Sequence, residues 1–346
     1  MLEKNQLIAL FKATANADAK APVAYNYNGE NLTYAAMNET LRNELNELVG
    51  SYNLYRNNKN TFFELVETAL TDILPAKVQD RYAQFAEVKT MPQGAKAVFT
   101  RKMGKMRAKQ FVTRVGLAGV YEVFKLAHES FEVTTSAIGG AYQIGFEEFL
   151  DGRANLNEVM EIIMEGMDEL IYREIAKALM ASVGQLPAAN KVVFNGFDEQ
   201  LLDQVISVVS AYGNPVIYCT REFAVKMIPA TGWISESMKD ARWATGYLGN
   251  YKGCQVVILP QSFEDETNAK KVIDPGFVWV MPSGNEKPVK VVFEGQMHMR
   301  ERENDDWSRD FQVYQKVGIG VMMTNNIGSY IDESLKNALD TIVSKD

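Results

Sequence analysis

The chain has 346 residues, of which 47% are apolar and 23% charged, with a formal net charge of -8. This is ordinary globular usage, enough for about two domains, and it excludes a disordered or fibrous protein. An acidic chain is a poor candidate for wrapping nucleic acid, and two cysteines with two histidines exclude a disulfide scaffold or a cysteine-rich zinc module.

The first apolar stretch, Leu7 to Phe11, is too short for a secretory signal and lies between Glu3, Lys4 and Lys12. No window approaches the roughly 18 apolar residues of a spanning helix, so no membrane association is expected. Synthesis in a reducing cytoplasm follows as the expectation. Residues 1–85 predict a helical arm. Leu2, Leu7, Leu10 and Phe11 form one stripe; Met37, Leu41, Leu45 and Leu48 form a second, after Asn31 and Thr33. A third runs Phe62, Leu65, Val66, Ala69, Leu70, Ile73 and closes at Pro75, with Asn57 to Asn60 as a polar linker before it. Such an arm docks on a neighbouring chain or folds back on its own core.

Residues 88–121 carry eight basic residues (Lys89, Lys96, Arg101, Lys102, Lys105, Arg107, Lys109, Arg114) and no acid. Strand-like runs at 97–100 and 111–115 predict a two-stranded excursion with a basic tip, within a region 86–136. A lone hairpin is marginal and needs a surface to lie on. Residues 147–174 have the opposite sign: Glu147, Glu148, Asp151, Glu158, Glu161, Glu165, Asp168, Glu169 and Glu174 against Arg153 and Arg173. Within them Leu156, Val159, Met160, Ile163, Met167, Leu170 and Ile171 keep helical spacing. Asn155 and Glu158 resemble a capping box, and Gly184 is placed to close a helix over 155–183, about 42 Å long at 1.5 Å per residue.

Residues 191–275 alternate strand and helix: strands at 192–194, 215–219 and 254–259, helical runs at 201–209 and 222–227, and an irregular segment bearing Trp233 and Trp243. They read as an α/β subdomain. Cys219 and Cys254 read as buried free thiols. Strands return at 277–281, 289–293, 297–302 and 311–313. A terminal helix over 331–346 is expected from Ile331, Leu335, Leu339, Ile342 and Val343.

Familiar catalytic and cofactor patterns are missing: no phosphate-binding glycine loop, no nucleophile elbow and no dinucleotide fingerprint. His128-Glu129 starts a zinc-protease motif, but Glu132 stands where the second histidine belongs. His298 reads as a sheet residue, and Asp305-Asp306 as a turn between strands. No catalytic, cofactor-binding or metal-ligating residue is assigned. The basic run lacks the interleaved aromatics that stack on bases. It fits an acidic protein surface better than nucleic acid or a solvated loop.

The order of parts resembles tailed-bacteriophage major capsid proteins, whose fold encapsulins share. Three stretches carry the resemblance: Gly140 to Gly152 followed by the 156–183 helix; Gly246 to Gly253 before Cys254 to Pro260; and Asn304 to Ser308 followed by Tyr314 and Gly318. The resemblance implies an α+β phage major-capsid fold with an N-terminal arm, an extended loop (hairpin about 95–128), a peripheral domain (137–190 and 276–330, with the spine helix 155–183) and an axial domain (191–275). It implies a structural protein forming hexamers and pentamers of an icosahedral shell around double-stranded DNA, localised to the virion, with no sequence-specific DNA contact. Partners are then other copies of the chain, with scaffold, portal and decoration proteins. In such a shell Lys96, Arg101, Lys102, Lys105, Arg107, Lys109 and Arg114 of one subunit would meet Glu147, Glu148, Asp151, Glu158, Glu161 and Glu165 of the next. The alternatives are an encapsulin-type compartment shell, a carboxylate-dependent α/β enzyme, or another oligomeric virion part such as a tail or decoration protein.

Overall fold

The computed structural model describes residues 4–16, 25–27, 30–101, 129–144, 156–228, 235–264, 267–268, 270–283, 287–305, 307–322 and 326–336. The chain divides into two compact units. One comprises Met1–Ala97, Glu132–Tyr172 and Lys290–Gly320; the other comprises Val98–Phe131, Arg173–Val289 and Val321–Asp346.

Among the described residues the first unit holds the helices α1 (Lys4–Asn16), α2 (Tyr34–Val49) and α3 (Tyr52–Tyr82), the larger part of the long helix Leu156–Ser182, and a small hairpin of β1 (Tyr25–Tyr27) and β2 (Glu30–Leu32). Thr33 and Ser51 cap α2 and α3 by accepting from backbone N–H groups three residues on. The described residues of all three helical stripes are buried (Leu2 lies outside them), and α1, α2 and α3 pack on one another. Two expectations fail inside α3, which runs unbroken through both the Asn57–Asn60 run and Pro75. Asn58 donates to the Leu48 carbonyl (2.9 Å), and the stripe from Tyr55 to Tyr82 stays buried throughout. Continuous apolar contact outweighs the weak propensity of the asparagines and the one hydrogen bond Pro75 removes.

A four-stranded sheet in the order β3-β12-β13-β6 lies in this unit: β3 (Ala86–Met91), β12 (Val289–Glu303), β13 (Arg309–Val321) and β6 (Ser136–Ile144). The strands expected at 289–293 and 297–302 are one strand. Gly295, at φ 72°, carries the chain through without breaking it. Beyond Gly295, side chains of α3 receive backbone N–H groups of β12: Met297 N–H donates to Thr71 Oγ1 (3.0 Å) and Met299 N–H to Glu67 Oε1 (2.6 Å). Two residues along a strand advance about 6.7 Å and one helical turn 5.4 Å, so acceptors at i and i+4 match donors at j and j+2.

The second unit is built on a six-stranded sheet, β7-β14-β11-β8-β10-β9: β7 (Lys191–Phe194), β14 (Gly328–Asp332), β11 (Phe277–Pro282), β8 (Pro215–Cys219), β10 (Cys254–Ile258) and β9 (Asn250–Tyr251). β8 and β10 are parallel, as are β7 and β14, while β11 runs antiparallel to both its neighbours. Helices α5 (Glu199–Ser210), α6 (Arg221–Lys226) and α7 (Glu236–Thr245) complete it. Leu202, Val205, Val209, Ile217, Cys219, Phe223, Tyr251, Val280 and Tyr330 form its core.

This sheet corrects the sequence-based division at three places. β11 and β14, placed with residues 276–330, belong with the α/β strands. Ile331, expected to open a terminal helix, lies in β14 opposite Phe277 and Val193; residues 337–346 lie outside the described residues. The segment expected to be irregular contains α7, capped by Ser235 and closed by Gly246 at φ 84°. Its periodicity was illegible because hardly any of α7 is buried.

The long helix α4 (Leu156–Ser182) agrees with the expected 155–183 to within a residue or two. Gly184 does not close it in the left-handed region; the chain continues into a 3-10 turn, Val183–Gln185.

Candidate assembly surface

Strand β4 (Ala97–Arg101) pairs with β5 (Glu129–Val133), so the two ends of the excursion are held side by side. The partner expected for 97–100, residues 111–115, lies outside the described residues; the described pairing of β4 uses residues from the far side of the segment. At this base Lys96 Nζ lies 3.4 Å from Glu132 Oε1, both exposed. Lys96, assigned to a neighbour's surface, thus has an acid in its own chain. Arg101 ends β4. Lys102, Lys105, Arg107, Lys109 and Arg114, like His128, lie outside the described residues.

Among the expected acids, Glu147, Glu148 and Asp151 also lie outside the described residues. Glu158 and Glu161 are on the first turns of α4, and Glu165 is exposed one turn later. Met164, Met167, Ile171 and Ile175 are buried, so Glu165 sits on the opposite, solvent face together with Ile162. Asp168 is not free for a partner: it accepts an ion-paired hydrogen bond from Arg81 at the end of α3. The Arg81 guanidinium lies 5.6 Å from the Tyr82 ring and 5.7 Å from the Tyr172 ring, which stack with centroids 5.5 Å apart. Burial pushes both phenols well above their ordinary value. This clamp fixes α4 to α3, and no pattern of charge along the chain signals it.

A second cluster ties α3 to the four-stranded sheet. Glu301 on β12 is ion-paired to Lys59 on α3 and to Arg309 on β13. The Arg309 guanidinium lies 5.4 Å from the Tyr52 ring and 5.6 Å from the Tyr55 ring. Burial alone would raise the Glu301 carboxyl; the hydrogen bond from Lys59 and the charge of Arg309 outweigh it and hold the group below the ordinary carboxylate range. A third acid, Glu294, accepts from the Gly94 N–H (2.9 Å) and from Thr135 Oγ1, and faces Lys316 (3.3 Å). It joins the loop after β3, the start of β6 and the middle of β13.

In the α/β unit the fully buried Asp332 accepts from Gly196 N–H (2.8 Å), Ser334 N–H (2.9 Å), Ser334 Oγ (2.6 Å) and Lys226 Nζ (3.2 Å). Burial opposes its charge, but these donors hold the carboxyl below its ordinary value. The β9–β10 hairpin turns on Lys252 (φ 48°) and Gly253 (φ 83°), the pair of left-handed residues that a tight two-residue turn requires. Lys252 is ion-paired with Glu199 and Asp203 of α5. Exposed apolar side chains remain at Trp243 (93%), Trp307 and Tyr314, and on the edge strands at Val193, Phe194 and Tyr142.

No group of three or more metal-ligating side chains comes together among the described residues, and none of their helices is long and apolar enough to cross a membrane. His298 lies in β12 with its ring 5.4 Å from that of Tyr314.

A comparison with curated proteins found no match. Two solved capsids share the fold. The capsid subunit of the cyanophage P-SCSP1u superposes with a TM-score of 0.50 at 11% identity, over 72% of this chain and 87% of that one. A subunit of the mature capsid of bacteriophage PhiM1 gives 0.50 at 8% identity, over 73% and 87%. Residues 6–331 match the family model described as "SPbeta prophage-derived putative capsid protein YonB". The chain belongs to this prophage capsid family and is a structural major capsid protein with the α+β phage capsid fold.

Proposed function

We propose that the protein assembles as hexamers and pentamers into the icosahedral shell that encloses double-stranded phage DNA, working as a building block and not as an enzyme. The observation that carries this reading is the family match over nearly the whole chain. The excursion seated on β4 and β5 is the element that reaches a neighbour. Its Lys102, Lys105 and Arg107 oppose the acidic region that includes Glu147, Glu148, Asp151, Glu158, Glu161 and Glu165 of the next subunit; Arg101, Lys109 and Arg114 extend the same stripe, while Lys96 stays with Glu132 at the base. Each exposed pair contributes at most about 1 kcal/mol, so the pairs set register and partner choice, and repetition around a ring supplies the strength. A chain of net charge -8 also avoids adhering to the genome it encloses. Scaffold, portal and decoration proteins are the further partners, and the virion is the final location.

Reversing Lys102, Lys105 and Arg107 to Glu tests the contact. Assembly is expected to fail while circular dichroism and thermal unfolding of the subunit stay unchanged; normal shells from the triple variant would refute it. Particles recovered after prophage induction are expected to protect DNA from nuclease. Particles filled with a cargo protein would point to a compartment shell instead.

A further inference from the structure

Strand β6 is the outer strand of the four-stranded sheet. It pairs with β13 in unbroken register from Ser136↔Val317 to Ile144↔Arg309. Among the described residues no strand pairs with its other edge. Its nine residues, Ser-Ala-Ile-Gly-Gly-Ala-Tyr-Gln-Ile, include no charge and no proline. Such an edge is a template for a further strand, and proteins that stay monomeric blunt it with lysine, proline or a bulge. The other edge strand, β3, carries Glu87 and Lys89. We propose that β6 pairs with β6 of a second copy of this chain, antiparallel, about a two-fold axis through Gly140.

The sequence of β6 fits that register from end to end. With Gly140 opposite Gly140, the strand's nine residues pair without overhang: Ser136 with Ile144, Ala137 with Gln143, Ile138 with Tyr142, Gly139 with Ala141. Two neutral strands meet without repulsion, and the glycines at the centre offer no side chain to hold the backbones apart. Ile138 and Tyr142 share a face with Gly140, whose missing Cβ would lie 3.8 Å from Ile163 of α4. Tyr142 stands opposite buried Phe311 yet is 39% exposed, so it borders the core without a cover on its outer side. Self-pairing places Ile138 of the partner against it, twice per interface, an aromatic–β-branched pair of the kind that stabilises sheets. The inference rests on the shell reading only in taking a second copy as the occupant.

The test is a pair of cysteines, Ala137→Cys with Gln143→Cys. In this register they face one another across the axis with Cα atoms about 5 Å apart, within disulfide range, whereas residue 137 is about 20 Å from residue 137 of the partner. Both native cysteines are buried and do not interfere. After mild oxidation of the assembled protein, the double variant is expected to run as a dimer on non-reducing gels, and each single variant as a monomer. Electron microscopy of the reduced double variant reports on shells separately. Shells without cross-linking, or a ladder of higher species from head-to-tail pairing, would overturn the proposal and leave the shell reading standing. Dimers without shells would do the reverse. As a check independent of thiols, Ile138→Lys is expected to weaken association at least tenfold and Ile138→Lys with Tyr142→Glu to restore it; failure of restoration in a folded double variant would also count against the register.

Discussion

Replacing Glu301 by Gln removes the charge at the centre of the α3–sheet cluster with almost no change of shape. Arg309, with 12% of its side chain exposed, then keeps, among the described residues, Glu303 at 3.9 Å as its ion-pair partner, and Lys59 loses its ion pair with Glu301. Removing one member of a buried pair costs about 3–5 kcal/mol, and the partly exposed Lys59 end puts this case at the lower limit, about 3 kcal/mol. At about 2–4 °C per kcal/mol for a unit of this size, the melting temperature is expected to fall by about 6–12 °C. The pH dependence has a definite sign. The Glu301 carboxyl is held below its ordinary value in the folded chain. Its contribution is therefore complete above the unfolded value of about 4.3 and is lost as pH falls through the folded value. The difference between wild type and Glu301→Gln is expected to be constant from pH 7 to about 5 and to narrow below about 4. Thermal unfolding of the dissociated subunit, followed by circular dichroism across that range, measures it. A shift under 2 °C at pH 7, or a difference that persists unchanged at pH 3, would show that the Glu301 charge does not hold α3 to the sheet.

Asp332→Asn keeps the shape of the group but turns one acceptor into a donor facing Gly196 N–H, Ser334 or Lys226; a loss of about 2–4 kcal/mol is expected in urea unfolding. Gly328→Ala would drive a Cβ into Val205 Cγ1, an overpacking worth about 1–3 kcal/mol, and Val205→Ala in the same chain is expected to recover most of it. Burial pushes the Cys219 thiol up to about 12 and raises that of Cys254, so neither is expected to react with a thiol reagent at pH 8 until the chain is unfolded. Two equivalents of fast reaction on the native protein would contradict this.

The elements that could be read from the sequence are those whose own residues carry the signal. Pro215–Cys219 and Cys254–Ile258 are short apolar runs buried in a sheet, and α4 keeps one apolar stripe for most of its length. Elements defined by distant partners could not be read. Pro75 looked like a helix end because its cost is local, while the compensating burial of Leu74, Val78 and Tyr82 comes from the fold. The last two residues of β14, Ile331 and Asp332, fall in the expected terminal helix because Ile331 and Leu335 also fit a helical stripe; pairing with β7 and β11 decides otherwise. The opposite charges of the excursion and of α4 were visible, but the diversion of Lys96 to Glu132 and of Asp168 to Arg81 depends on contacts far apart in sequence. The self-matching character of Ser136–Ile144 became visible only once β6 was known to be an edge.

In the proposed function this chain is the repeating unit of a closed shell. Electron microscopy of the purified protein, expressed alone and together with the products of the genes that flank its own, shows whether it closes into one. Closed shells or capsomers of uniform diameter, in at least one of the two preparations, are the predicted result. A monodisperse monomer in both would rule the shell out.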